Sequence, residues 1–264
     1  MAGYSESLAR VRIWQADGEN NMAMIEHPVP YEYGGKHYEG RIVYDDSVSG
    51  KRPAIYMQPD WLGVCSHTVE MAVDAGQSDY VVLLVDMYGK DYGGMEKTNE
   101  ELGRVARGNR SNIEFILGCG AAAGESLTAE AEKMGLIDTS KIGAVGYCMG
   151  GGYLTEQIRA GAPYKGSVFI HVTLPMTVAP NRPSDISGRV LTIHGTDDVV
   201  TPVSQLDVLQ AEMTANGVDW QTMLFGGAPH GFCVRDANDQ LQRFDQKLCD
   251  QTYRLMRDFF DETL

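Results

Sequence analysis

"VGYCMGGGY", residues 145–153, decides how the rest of the chain is read. It follows the apolar run "KIGAV" and leads into "LTEQIRA", so it reads as strand, tight turn and helix, with Cys148 at the turn. In that setting Gly146-Tyr147-Cys148-Met149-Gly150 has the spacing of a nucleophile elbow. The central residue of an elbow sits in a strained backbone conformation, and the flanking glycines let neighbouring elements close in without a Cβ clash. The first amides of the following helix point at the sulfur and favour thiolate. The competing reading is a small apolar residue buried in a glycine-rich bend, and the partners offered to the sulfur elsewhere in the chain decide between the two.

Outward from the elbow the same grammar repeats. "AIYM" (54–57), "YVVLLVDM" (80–87), "SVFIHV" (167–172), "RVLTIHG" (189–195) and "WQTMLF" (220–225) read as short strands. The unbroken apolar run in "YVVLLV" suits a strand covered on both faces, as in a parallel sheet. Helices are expected over 68–77, 100–117, 121–134, 149–159, 203–216 and 240–261. The last carries Leu241, Phe244, Leu248, Leu255 and Phe259 at helical intervals, a core-facing stripe. Before Ala54, "VRIW" (11–14) and "MAMI" (22–25) flank the turn-rich "QADGENN", and "RIVYDD" (41–46) follows, an antiparallel ribbon that edges a larger sheet. Strand followed by helix, repeated, implies an α/β architecture: a mostly parallel central sheet with helices on both faces and reactive loops at the carboxyl ends of the strands. No repeat or linker interrupts it, so residues 1–264 are expected to form a single domain without a large cap, with 179–188 as an exposed loop.

Composition narrows the partners. With 36 acidic against 22 basic residues the net charge is −14, which disfavours nucleic acid and anionic membrane surfaces and leaves a small neutral or modestly charged molecule. The start of the chain has Arg10 and Arg12 and no long apolar core, so neither a signal peptide nor a membrane anchor is expected. Five scattered cysteines, Cys65, Cys119, Cys148, Cys233 and Cys249, do not look like a disulfide framework, which points to a reducing cytoplasm. No Cys-x-x-Cys pair or His-Glu-x-x-His helix suggests a metal. "ILGCGAAAGES" (116–126) has glycines that invite a dinucleotide reading, but no early βαβ unit frames them, and close helix packing is the simpler account. No cofactor is expected, and nothing in the sequence sets an oligomeric state.

A nucleophile needs a base, and the base an orienting group. After Cys148 come "LTIHGTDDVVTP", where a strand runs into paired aspartates, and "FGGAPHGF", where a late strand runs into His230. The order nucleophile, acid, histidine is that of the α/β-hydrolase fold. Asp198 is favoured as the acid, with Asp197 as the fallback. His194 is read as packing at a strand end, and His171, Trp61, Tyr92 and Phe232 as lining of a modest pocket.

From about Ala54 onward the chain resembles the dienelactone hydrolase family, α/β-hydrolases with a Cys-Asp-His triad, on the strength of "GYCMGG", "DMYGK", "HGTDDVVTP" and "HGF". The resemblance implies Cys148, Asp198 and His230 as catalytic residues, and, through "QPDWLGV", the backbone N–H groups of Trp61 and Met149 as the oxyanion hole. It also places Asp60 where the family's thiol-activating glutamate stands and Lys90 where an arginine holds a substrate carboxylate; Arg235 is a second candidate for that task. The implied substrates are activated esters, above all enol lactones. A broad small-acyl carboxylesterase or thioesterase is the runner-up, and a non-catalytic small-molecule-binding relative is the alternative of another class.

Overall fold

The run Val81–Leu84 shows how the sheet is layered: Val81 and Leu83 pack into the core on one face, Val82 and Leu84 into the core on the other, and all four are buried. Fully covering such side chains stabilises by about 1.5–3 kcal/mol each, so an unbroken apolar run fits only a strand with helices above and below. The computed structural model describes residues 11–15, 23–90, 92, 98–174, 184–235, 237–239 and 241–264. The reading of 16–21 as a turn, and most of the loop expected at 179–188, lie outside these residues.

Among the described residues nine strands form one sheet in the order β1-β2-β3-β5-β4-β6-β7-β8-β9. Three antiparallel strands open it, β1 (Val11–Gln15), β2 (Ala23–Tyr33) and β3 (Lys36–Asp45), with β3 antiparallel to β5 (Val81–Leu84). The parallel part comprises β5, β4 (Arg52–Gln58), β6 (Ile137–Tyr147), β7 (Gly166–Ile170), β8 (Arg189–Gly195) and β9 (Trp220–Phe225). Helices α1 (Ser66–Gly76) and α6 (Gln246–Thr263) cover one face; α2 (Asn99–Arg110), α3 (Ile113–Lys133), α4 (Met149–Arg159) and α5 (Val203–Ala215) cover the other. The mostly parallel sheet, its antiparallel start and helices on both faces are those of an α/β-hydrolase fold. Strand order reverses between β4 and β6, so the loops after these two strands face each other across the crevice where open α/β sheets hold ligands. No described helix is long and apolar enough to cross a membrane.

Three boundaries differ from expectation. The helix expected over 100–117 ends at Arg110, and α3 restarts because the Asn112 side chain accepts from Phe115 N at 3.0 Å, an N-cap. From there α3 runs unbroken through the glycines of "ILGCGAAAGES". A Cβ at Gly118 would collide with the Tyr33 ring, and one at Gly120 with the Gln157 side chain, so these glycines serve close packing. The final helix begins at Gln246, capped by Asp245, whose side chain accepts from Leu248 N. Leu241, read as part of its stripe, is 54% exposed, because Asp239 captures the amides of Leu241 and Gln242 and turns the chain instead.

The cysteines also depart from expectation. Cys233 and Cys249 form a disulfide with Cα atoms 4.9 Å apart, while Cys65, Cys119 and Cys148 are free. The loop after β9 folds back on the start of α6, a proximity that a separation of 16 residues does not reveal.

Candidate active site

Cys148 is the N-cap of α4 and has φ 49° and ψ −119°, a left-handed conformation that a side chain rarely adopts. Its surroundings hold it there. Cys148 N donates to Ile170 O at 3.1 Å, and Cys148 O accepts from Gly151 N at 3.1 Å and Thr173 N at 2.8 Å. A Cβ at Gly146 would strike the Gly151 backbone, and one at Gly150 would strike the carbonyls of Gln58 and Pro59. The glycines therefore bring β6, α4 and the loop after β4 together around one half-buried sulfur.

His230 Nε2 lies 3.1 Å from Cys148 Sγ, and His230 Nδ1 lies 2.7 Å from Asp198 Oδ2. Asp198 is buried, and its other oxygen accepts from Val200 N at 2.9 Å and Thr201 N at 2.8 Å, which fixes the carboxylate on the loop after β8. Asp197 points away, exposed and bonded to Thr196 Oγ1. Burial works against a charged imidazole at His230, but the neighbouring Cys148 and Asp198 prevail and raise it to about 10. The arrangement thus favours a protonated imidazole at His230.

Two histidines read as lining or packing stand behind this line. His194, fully buried, places Nε2 2.8 Å from Thr201 O and 3.2 Å from Asp198 Oδ2; burial lowers its pKa. Bonded through Nε2 to the Thr201 carbonyl, it packs beside the Asp198 carboxylate. His171, with φ 36°, is also fully buried and meets the His230 and Phe232 rings edge-on, both at 5.2 Å between centroids. Burial holds it neutral, and Phe232 is buried as well, so both back the histidine instead of lining an open pocket.

The loop after β4 forms the opposite wall. Trp61 is half-buried, and its carbonyl accepts from the Tyr92 hydroxyl at 3.3 Å; Tyr92 stacks on Tyr88 at 4.6 Å. Met149 opens α4, so its N–H belongs to a first turn without an intrahelical acceptor. Its sulfur accepts from the Tyr153 hydroxyl at 3.3 Å, which ties it to the same aromatic wall. Asp60 is buried, with one oxygen accepting from Leu62 N at 2.9 Å and the other 3.8 Å from His67 Nε2; burial raises its pKa.

The two cations expected to hold a substrate carboxylate lie elsewhere. Lys90 is half exposed and pairs with Glu39 at 3.1 Å, and Arg235 pairs with Asp74 at 2.5 Å beside Glu70. Both are consumed by neighbouring carboxylates, a pairing made between β3 or α1 and a distant loop that local sequence does not show. Three residues not anticipated do stand by the site. Thr173 places Oγ1 3.4 Å from Cys148 Sγ, His67 faces Asp60, and Arg110, at the end of α2, donates through Nη2 to Leu174 O.

The family model for dienelactone hydrolases matches residues 39–264. The chain belongs to the dienelactone hydrolase family. Among solved structures, m3DLH is 26% identical with a TM-score of 0.81 and covers 92% of this chain and 99% of its own. A dienelactone hydrolase-like promiscuous phosphotriesterase from metagenomic libraries is 27% identical with a TM-score of 0.79, covering 91% and 98%. A curated relative, the hydrolase tropI of Talaromyces stipitatus, is 30% identical over 95 residues, 36% of each chain. Membership of the dienelactone hydrolase family makes this chain a hydrolase of that type.

Proposed function

We propose that this hydrolase cleaves activated carboxylic esters, enol lactones above all, through a Cys148 thiolate and an acyl-thioester intermediate. The observation that carries the proposal is the continuous line Asp198, His230, Cys148, with contacts of 2.7 and 3.1 Å, ending on a half-buried sulfur. In the cycle, Cys148 attacks the carbonyl carbon and the carbonyl electrons move onto oxygen, where the N–H groups of Trp61 and Met149 receive them. Each such donor contributes about 2.7–4 kcal/mol of transition-state stabilisation. Collapse expels the ester oxygen, which takes up the His230 proton as it leaves, so the imidazole is neutral for the next step. Water, deprotonated by His230, then cleaves the thioester and returns the thiolate.

The sulfur selects the substrate. A tetrahedral intermediate expels the better leaving group, and an ordinary alkoxide loses to a thiolate. An enol lactone releases a stabilised enolate and wins. The support is the family, the elbow geometry and the imidazolium favoured beside the sulfur.

The test is the Cys148→Ala variant, assayed with p-nitrophenyl acetate and a dienelactone alongside saturated lactones and thioesters. Loss of turnover in a folded variant, with enol lactones preferred by the wild type, is the expected result. Full activity without the sulfur eliminates the mechanism, and equal rates across the panel in the wild type favour a broad esterase.

A further inference from the structure

The hydroxyl of Thr173 has one hydrogen-bond partner among the described residues, and that partner is the sulfur of Cys148, 3.4 Å away. Other buried threonines direct the hydroxyl at a main-chain carbonyl: Thr68 at Gly63, Thr155 at Gly151 and Thr252 at Leu248, at 2.7–2.8 Å. Thr173 is buried as they are. A buried hydroxyl needs an acceptor for its proton, and here the acceptor within reach is the sulfur.

The backbone is bent into an unfavourable conformation to bring this hydroxyl there. β7 ends at Ile170, and His171 has φ 36°, a value that a residue with a side chain rarely adopts. His171 N still donates to Ile193 O at 2.9 Å, but Thr173 N has turned to Cys148 O at 2.8 Å. Between them, Val172 packs so closely on α4 that a Cβ at Gly151 would strike it. One residue thus binds Cys148 twice, through its N–H to the carbonyl and through its hydroxyl to the sulfur. Strain of this kind persists where surrounding contacts hold it, and it gathers at functional sites.

From this geometry we infer that Thr173 is a further catalytic residue: its hydroxyl donates a hydrogen bond to the Cys148 thiolate alongside His230 and favours that form over the thiol. This deepens the proposed function and rests on it. An anionic sulfur accepts a hydrogen bond more strongly than a neutral thiol does, so a fixed donor separates the two forms in energy. The hydroxyl keeps its proton throughout, since the base is His230. During attack the bond weakens as charge passes from sulfur to the carbonyl oxygen, and it forms again when the thiolate is expelled from the thioester. The other ionisable groups near the sulfur are Arg110, Tyr153 and His230, the last with Asp198, Asp60 and His171 around it. All of them are present in the variants compared below.

The experiment compares wild type with Thr173→Val, which keeps the shape and removes the hydroxyl, and with Thr173→Ser, which keeps the hydroxyl. Alkylation of Cys148 by iodoacetamide is followed across pH by mass spectrometry of its peptide. The acid limb of kcat/KM on p-nitrophenyl acetate is recorded on the same proteins. In Thr173→Val the alkylation midpoint is expected to rise by about one pH unit, and the acid limb to move with it. Thr173→Ser stays near wild type in both. Thermal unfolding checks that each variant is folded, and Thr173→Ala replaces Thr173→Val if the latter is not.

An unchanged midpoint in the folded hydroxyl-free variant, or a shift that Thr173→Ser shares, overturns the assignment and leaves the esterase reading intact. An acid limb that stays in place while the alkylation midpoint moves overturns the catalytic role. Full esterase activity in Cys148→Ala instead removes the functional reading, and with it any part for Thr173 in turnover, whatever the alkylation profile shows.

Discussion

Replacing Asp198 by Asn tests the line of three residues at the point where its geometry is most constrained. One oxygen of Asp198 accepts from Val200 N and Thr201 N, so the asparagine carbonyl is held at that end and its amide turns towards His230 Nδ1, 2.7 Å away, and His194 Nε2, 3.2 Å away. A donor then faces the Nδ1 donor of His230. His230 relieves the conflict by giving up its Nδ1 proton and keeping the one on Nε2, which presents N–H to the sulfur and leaves no lone pair there to accept a proton. Inverting the tautomer of a catalytic histidine in this way lowers turnover about ten-thousand-fold, or roughly 5.5 kcal/mol of barrier. The fold loses less, about 1–3 kcal/mol for a buried donor without an acceptor. The assay measures kcat on p-nitrophenyl acetate together with the rate at which iodoacetamide alkylates Cys148, read by mass spectrometry of its peptide. Both fall in Asp198→Asn, while Asp197→Asn, on an exposed side chain, changes neither appreciably. An Asp198→Asn protein that keeps a tenth or more of wild-type kcat refutes the reasoning, because the carboxylate then does not set the histidine's proton.

The raised pKa of His230 carries a stability consequence of defined sign. The folded imidazole titrates at about 10 and the unfolded one at about 6.5, so its contribution is fully present below about 6.5 and is lost as pH rises through about 10. The melting-temperature gap between wild type and His230→Gln accordingly narrows from pH 7 to pH 10.5, and a constant gap contradicts the charged pair. Gly150→Ala drives a methyl into the Gln58 and Pro59 carbonyls and costs about 1–3 kcal/mol in urea unfolding with loss of activity. Gly108→Ala, in α2 with open space around it, gains about 0.5–1 kcal/mol and is the control. Reduction of Cys233–Cys249, or Cys249→Ser, lowers the unfolding free energy by about 3 kcal/mol for a loop of this length, a difference that vanishes when wild type is measured in dithiothreitol.

What the sequence disclosed follows the range of the interactions involved. The elbow is a contiguous stretch in which glycine spacing and the strand-to-helix switch are both local, and chain order brought Asp198 and His230 to the same place. The parallel strands were legible because "VVLL" has no polar side to expose. Residues whose role depends on distant partners were hidden. Arg110 fell within an expected helix of 100–117 and gained its position only because α2 ends there. Lys90 and Arg235 looked available until Glu39 and Asp74 were brought against them. His67 stands in the first turn of α1 and Thr173 in the loop after β7, where no periodicity marks them. The start of α6 was misplaced because Leu241 and Phe244 match its stripe, while the competing force was an aspartate collecting amides three residues upstream.

The segment bearing the imidazole is bound in part by contacts that come from further along the chain. Arg243 N donates to His230 O, Asp245 N to Phe232 O, and Cys249 bonds to Cys233. The sulfur, by contrast, is framed by strands and loops already synthesised before Asp198 emerges. On a growing polypeptide the frame of the sulfur is therefore complete before the base exists, and the segment holding that base gains its last tethers only once Cys249 has been added.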